Sequence, residues 1–197
     1  MNICVFCSSS NAIDSEYFKL AKELGILIGK KNHNLVYGGA NIGLMNELAK
    51  SVQENGGKVI AIMPEFIEIK GLLYNDADEI IITKDLRERK KTMESISGAF
   101  IALPGGFGTL EEILEILTLK QLQVHNKSIV FINHNHYFDS LISLFEQFYS
   151  KNFAKQENRN YYEFCKNPDE AINLCENYKP GGFIEKWYQN QPGDFLI

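Results

Sequence analysis

Three short segments hold the side chains and backbone groups that could do chemistry. The most informative is residues 104–112, Pro-Gly-Gly-Phe-Gly-Thr-Leu-Glu-Glu, which follows an apolar run of strand length and leads into a strongly periodic helix. Free backbone N–H groups and the helix dipole at such a start favour a phosphate or a carboxylate. The segment adds a hydroxyl at Thr109 and carboxylates at Glu111 and Glu112. It is not a Walker loop, because no Gly-Lys-Ser or Gly-Lys-Thr follows. It is not a standard dinucleotide fingerprint either, which belongs on the first strand-to-helix turn. Thr109 to Glu112 also spells a capping box, Thr-x-x-Glu, so Glu112 has a purely structural reading beside the chemical one.

The second segment, Cys7-Ser8-Ser9-Ser10-Asn11, offers hydroxyls and N–H groups suited to an anion or a ribose, or else to capping the helix that follows. The third is Tyr37-Gly38-Gly39-Ala40-Asn41-Ile42-Gly43-Leu44-Met45. Its glycines, between a strand and a helix, let backbone approach a ligand. Upstream of the 104–112 segment lies Arg87-Glu88-Arg89-Lys90-Lys91. Such a run is ordinarily a solvated helix face, yet a guanidinium also grips phosphate in bidentate fashion. A cation together with three Gly- or Ser-rich loops makes a coherent site for a nucleoside monophosphate. His134-Asn135-His136 spells a nuclease-like triplet but has no accompanying metal ligands. Cys4 and Cys7 form C-x-x-C, but on a strand they face opposite sides and no second close pair completes four ligands. The four cysteines therefore read as small buried hydrophobes, and no metal site is expected.

The elements that must position these groups alternate. Strand-like runs cover residues 2–6, 34–37, 58–63, 79–83, 99–103, 128–132 and 161–165. Helical patterns cover 14–30, 42–54, 86–96, the stretch through Leu119, 137–149 and 169–175, with 65–79 irregular. This alternation predicts βαβ units: an α/β fold, mainly a parallel sheet with helices on both faces. Function in such a sheet concentrates at the carboxyl ends of the strands, where all three segments fall. The expected organisation is one domain over 1–178 with an extension at 179–197, either loosely held or a strap on a partner subunit.

Composition narrows the rest. The net charge of −5, from 20 basic and 25 acidic residues among 197, argues against a general nucleic-acid or anionic-membrane binder and leaves small ligands open. No window reaches the ~18 apolar residues of a membrane span. The first residues lack a basic n-region and a cleavage site, so a cytoplasmic location is the expectation, and the sequon Asn126-Lys127-Ser128 is set aside.

Glu88-Arg89-Lys90 with PGGFGTLEE at 104–112, YGGANIGLM at 37–45 and CSSSN at 7–11 resembles the LONELY GUY family. These are cytokinin riboside 5′-monophosphate phosphoribohydrolases, often labelled lysine decarboxylases. The likeness runs from about residue 2 to 177, and the PGG-x-GT-x-x-E signature is highly specific. It implies a Rossmann-like fold, a homodimer, no cofactor, and hydrolysis of the N-glycosidic bond of an adenosine-type 5′-monophosphate to base and ribose 5-phosphate. On the matching positions the catalytic pair is Arg89 and Glu112. Lys90, Gly106, Phe107, Gly108, Thr109, Leu110, Glu111 and Thr118 fall at positions associated with nucleotide binding. Ser8, Ser9, Gly38, Gly39, Gly43, Met45, Pro104 and Gly105, from the loops above, complete the candidate substrate-binding set. Two departures stand out: residues 66–78, where plant members carry a Glu-rich segment near the base, and the extension beyond Tyr178. The rival functions are a general purine or pyrimidine monophosphate nucleosidase and a non-catalytic nucleotide sensor. The sensor gains nothing from a carboxylate beside an anionic ligand.

Overall fold

The computed structural model describes residues 1–182; most of the 179–197 extension therefore lies outside the described residues. Seven strands form one all-parallel sheet: β1 (Asn2–Phe6), β2 (Asn34–Tyr37), β3 (Val59–Pro64), β4 (Glu79–Thr83), β5 (Ala99–Ala102), β6 (Ser128–Ile132) and β7 (Glu163–Cys165). Their order across the sheet is β4-β3-β2-β1-β5-β6-β7. The helices are α1 (Ser15–Lys30), α2 (Gly43–Glu54), the one-turn α3 (Glu65–Glu68), α4 (Leu86–Ile96), α5 (Phe107–Gln121), α6 (Asp139–Ser150) and α7 (Pro168–Glu176). Two 3-10 segments, His134–His136 and Gln156–Tyr161, complete the elements of the described residues.

Strand side chains alternate between the faces, and both faces are apolar, so two cores form. Ile3 and Val5 of β1 join Leu20, Leu24 and Ile28 of α1, Leu44 and Leu48 of α2, and Ile172 of α7. Cys4 and Phe6 of the same strand join Met93 of α4, Ile113 and Ile116 of α5, and Phe100 and Phe131. Cys4 and Cys7 thus sit in different cores, as the strand geometry predicts, and all four cysteines are buried free thiols. Near-continuous burial of β1, β3, β5 and β6 is what parallel strands covered on both faces require.

The expected elements are all present, with ends shifted by a few residues. The segment 65–79 is not wholly irregular, since its first residues make the single turn of α3. The last strand is shorter than residues 161–165, because the chain enters it from a 3-10 turn ending at Tyr161. Strand order reverses between β1 and β5: β2 and β3 build outward on one side, β6 and β7 on the other. A crevice therefore opens at the carboxyl ends of β1 and β5, the place where such sheets bind ligands. No helix among the described residues is long and apolar enough to cross a membrane.

Candidate active site

The crevice is a cavity of about 420 Å³, within the usual range for small-molecule sites. Its wall is drawn from the loops after β1, β2 and β5, with contributions from α2, α3 and α4.

The loop after β5 supplies the end of the cavity whose chemistry suits an anion. Helix α5 begins at Phe107 with Gly106 as its N-cap, so no side chain caps it. The first four N–H groups of a helix have no intrahelical acceptor, and here residues 106–109 line the cavity. The capping-box reading of Thr109 and Glu112 fails on this register, because Thr109 is the third helical residue rather than the cap. Helix α2 is different. Its first amides are already used: Gly43 N donates to Asn11 Oδ1 at 2.9 Å and Leu44 N to Ser8 O at 2.9 Å. The start of α5 is therefore the one with donors to offer, and the α2 turn instead ties the serine loop in place. Gly43 makes this possible; its φ is +59°, and a Cβ there would lie 2.4 Å from Ser9 C. Nor does the serine loop cap α1, whose N-cap position is Asp14.

Helix α4 delivers the cation. Asp85 caps it, accepting from Arg87 N at 2.8 Å and Glu88 N at 2.9 Å, while Glu88 Oε2 accepts from Lys84 N at 2.7 Å. This is a variant of the capping box, since Glu88 reaches the amide one residue before the cap instead of that of Asp85 itself. With the start fixed, Arg89 and Met93, four residues apart, face inward, and Arg87 and Lys91 remain exposed. Arg89 is only 8% exposed. Its Nε donates to Ile62 O of β3 at 3.0 Å, and its Nη1 donates to Glu112 Oε1 at 2.7 Å. Glu112, on the second turn of α5, is thus spent on the arginine and the cavity rather than on its own helix. Burial raises the Glu112 carboxyl above the ordinary range, although the Arg89 guanidinium opposes the shift.

Of the residues expected at the site, Ser8, Ser9, Gly38, Met45, Arg89, Gly106, Phe107, Gly108, Thr109 and Glu112 line the cavity. Gly39, Gly43, Pro104, Gly105 and Leu110 stand behind that lining, within the loops that shape it. Lys90 and Glu111 are beside it: the Lys90 ammonium is paired with Glu111 and Glu115. Thr118 is elsewhere, exposed on α5, with its hydroxyl donating to Leu114 O and its side chain on a separate groove beside α6. Unforeseen were Ala40, Ile42, Met63, Ile67 and Leu72, which build an apolar wall. They come from four elements, and no spacing pattern links them. Tyr137 was missed also; its hydroxyl donates to Gly105 O at 2.8 Å from the turn after β6.

A helix start without a side-chain cap and a buried arginine–glutamate pair, in one crevice at the switch point of a parallel sheet, define a Rossmann-like α/β protein with a small-ligand cavity. Residues 45–175 match the family model described as possible lysine decarboxylase. A cytokinin riboside 5′-monophosphate phosphoribohydrolase of Arabidopsis thaliana is 37% identical over 178 residues, 90% of this chain and 83% of that protein. One of Rhodococcoides fascians is 37% identical over 172 residues, 87% of each chain. The chain belongs to this family, the LONELY GUY family. Among solved structures, the molybdenum cofactor binding protein of Rippkaea orientalis superposes with a TM-score of 0.69 at 23% identity, over 89% of this chain and 94% of that one. The molybdenum cofactor carrier protein of Chlamydomonas reinhardtii gives 0.67 at 20%, over 89% and 95%. At these identities the likeness is one of fold.

Proposed function

We propose that this protein hydrolyses the N-glycosidic bond of adenosine-type 5′-monophosphates, cytokinin ribotides among them, releasing free base and ribose 5-phosphate. The observation that carries the reading is the Arg89–Glu112 pair, 2.7 Å apart and largely buried, in the same cavity as the uncapped start of α5. Cleaving a base from ribose passes through an oxocarbenium-like cation, which needs negative charge beside C1′ and a positioned water. Ionised Glu112 supplies the charge and accepts the proton of the attacking water. The water's oxygen bonds to C1′ as the C1′–N bond breaks, and the proton taken up by Glu112 passes to the departing base, which restores the carboxylate. Arg89 holds Glu112 in its ionised form and orients the leaving base. The amides of residues 106–109 grip the 5′-phosphate, and that remote binding orients C1′.

The apolar wall of Ile42, Met45, Met63, Ile67 and Leu72 suits an N6-alkyl group on the base. Decarboxylation is the poorer reading. It normally needs an electron sink such as pyridoxal phosphate held by a lysine, and among the described residues no lysine lines the cavity. The family resemblance supports a homodimer and a cytoplasmic enzyme whose catalytic domain spans 1–178; light scattering and fractionation test these. The decisive assay is chromatographic, offering AMP, isopentenyladenosine 5′-monophosphate, GMP and a pyrimidine monophosphate alongside adenosine. Release of base and ribose 5-phosphate from the adenine nucleotides, with adenosine untouched, is the expected result. Equal cleavage of adenosine and AMP contradicts phosphate recognition, and no release from any nucleotide rejects the enzyme.

A further inference from the structure

The His134-Asn135-His136 triplet has no part in the chemistry above, yet its backbone is the most contorted in the β6–α6 turn. Asn135 and His136 both have left-handed φ values, 49° and 62°, a region that asparagine tolerates better than most residues. The turn is tied down at both ends. Asn133 Oδ1 accepts from Phe138 N at 2.7 Å, and its Nδ2 donates to Asp139 Oδ1 at 2.8 Å. Asn135 Nδ2 donates to Glu16 Oε2 on α1 at 2.7 Å. The residue this turn presents is Tyr137. Its ring meets Tyr17 of α1 edge-on at 5.9 Å and Phe138 at 5.1 Å, and its hydroxyl donates to Gly105 O at 2.8 Å.

That last bond has a geometric consequence. In a trans peptide the C=O and N–H point in opposite directions, and the described residues contain no cis bond. With its oxygen drawn to Tyr137, the Gly105–Gly106 peptide must send the Gly106 N–H the other way. Gly106 lines the cavity and Tyr137 does not. Two successive glycines leave this peptide plane with little steric preference of its own, and Gly106 carries no side-chain cap to fix it. We infer that Tyr137 is a positioning residue that sets the donor plane of the anion-binding loop, with the 134–136 turn as the strut connecting it to α1. The inference rests on the reading that a phosphate binds at the start of α5.

Tyr137→Phe tests it, because the ring contacts stay and only the donor goes. Three quantities are measured beside the melting temperature: kcat and KM for AMP, and the dissociation constant of inorganic phosphate by calorimetry. Losing one ground-state orienting hydrogen bond is expected to raise KM and the phosphate constant together, by roughly 3–10-fold, with kcat changed less than about twofold. Tyr149→Phe is the control. It removes a hydroxyl that pairs with Tyr162 at 2.6 Å on the far side of α5, and is expected to move neither constant. Unchanged KM and phosphate binding in Tyr137→Phe, with the wild type cleaving AMP, overturns the inference and leaves the enzyme standing. A fall in kcat at constant KM means a merely structural role and overturns it too. If the wild type cleaves no nucleotide, the proposed reaction falls, and the two phosphate isotherms still decide the role of Tyr137 by the same criterion.

Discussion

Gly38→Ala exposes how tightly the loop after β2 is fitted to the Arg89–Glu112 pair. A Cβ built on Gly38 would lie 2.1 Å from Arg89 Nη2, 3.2 Å from Arg89 Cζ and 3.2 Å from Met45 Sδ. An ordinary contact is about 3.5 Å, so the guanidinium must retreat by roughly 1.4 Å. It cannot do so freely. Nε is held on Ile62 O at 3.0 Å and Nη1 on Glu112 Oε1 at 2.7 Å, and a shift of that size breaks at least one of these bonds. A misplacement of ~1 Å at reacting groups costs about 100-fold in rate. A lost charge-assisted hydrogen bond costs ~1.5–3 kcal/mol, a similar factor. The expectation is therefore a kcat reduced on the order of 100-fold in a protein whose circular dichroism spectrum matches the wild type. Gly98→Ala is the companion variant. Its Cβ would find only Asn2 O at 3.6 Å and Met1 Cβ at 3.9 Å, and its activity is expected to be normal. Full activity in Gly38→Ala refutes the reasoning, because it would mean that the guanidinium can leave its place without consequence.

Other consequences are as direct. Glu112→Gln keeps the volume and removes the charge, so turnover is expected to fall by orders of magnitude; a retained rate rejects Glu112 as the catalytic carboxylate. In the wild type, burial holds the Glu112 carboxyl above the usual glutamate value of ~4.3. The reaction needs its ionised form, so kcat/KM is expected to fall as pH drops through that raised value; an acid limb at or below pH ~4 contradicts this. Lys120 is buried, its Nζ donating to Lys127 O at 2.7 Å and Tyr161 O at 2.8 Å, and burial pushes its pKa down to about 8. The unfolded chain keeps that proton to pH ~10.4, so between these values it binds more protons than the fold does. Stability relative to Lys120→Met should therefore rise with pH, by roughly 1–3 kcal/mol from pH 8 to 10; urea midpoints at both ends check the sign. Burial pushes Cys165 and Cys175 up to about 12 and raises Cys4 and Cys7 as well. Native protein is thus expected to react with Ellman's reagent only as fast as it unfolds, and a rapidly labelled thiol would disprove it.

Much of the fold was legible because its signals are local. Apolar runs of strand length alternating with amphipathic stripes are imposed by the geometry of strands and helices, and they set both the parallel sheet and the placing of the glycine loops at its carboxyl edge. The element ends were less so. α3 and the 3-10 turn before β7 are short, and one turn of helix leaves no periodicity to read.

The candidate site divides along the same line. The motif residues 104–112 and 88–90 could be picked out by type and spacing, and their local context already suggested an anion at a helix start. What spacing could not do was choose between two roles for one residue. Glu112 as a cap and Glu112 as a partner of Arg89 are equally compatible with Thr-x-x-Glu. The choice depends on where α5 begins, which is at Phe107 after Gly106, and on which of four neighbouring cations α4 turns inward, where Arg89 is buried beside Met93 and its Nε donates to Ile62 O. The apolar wall and Tyr137 belong wholly to the tertiary level. Ile42, Met63, Ile67, Leu72 and Tyr137 are ordinary residues in sequence, and they acquire a role only because separate elements bring them to one crevice. The sequence by itself determined the kinds of element, the fold class and the motif that marks the family, since those follow from chain-local geometry. Which side chains meet, which amides stay free and which carboxylate sits beside which cation were decided by the folded structure, because those contacts join residues up to thirty or more positions apart, as in Tyr137 and Gly105.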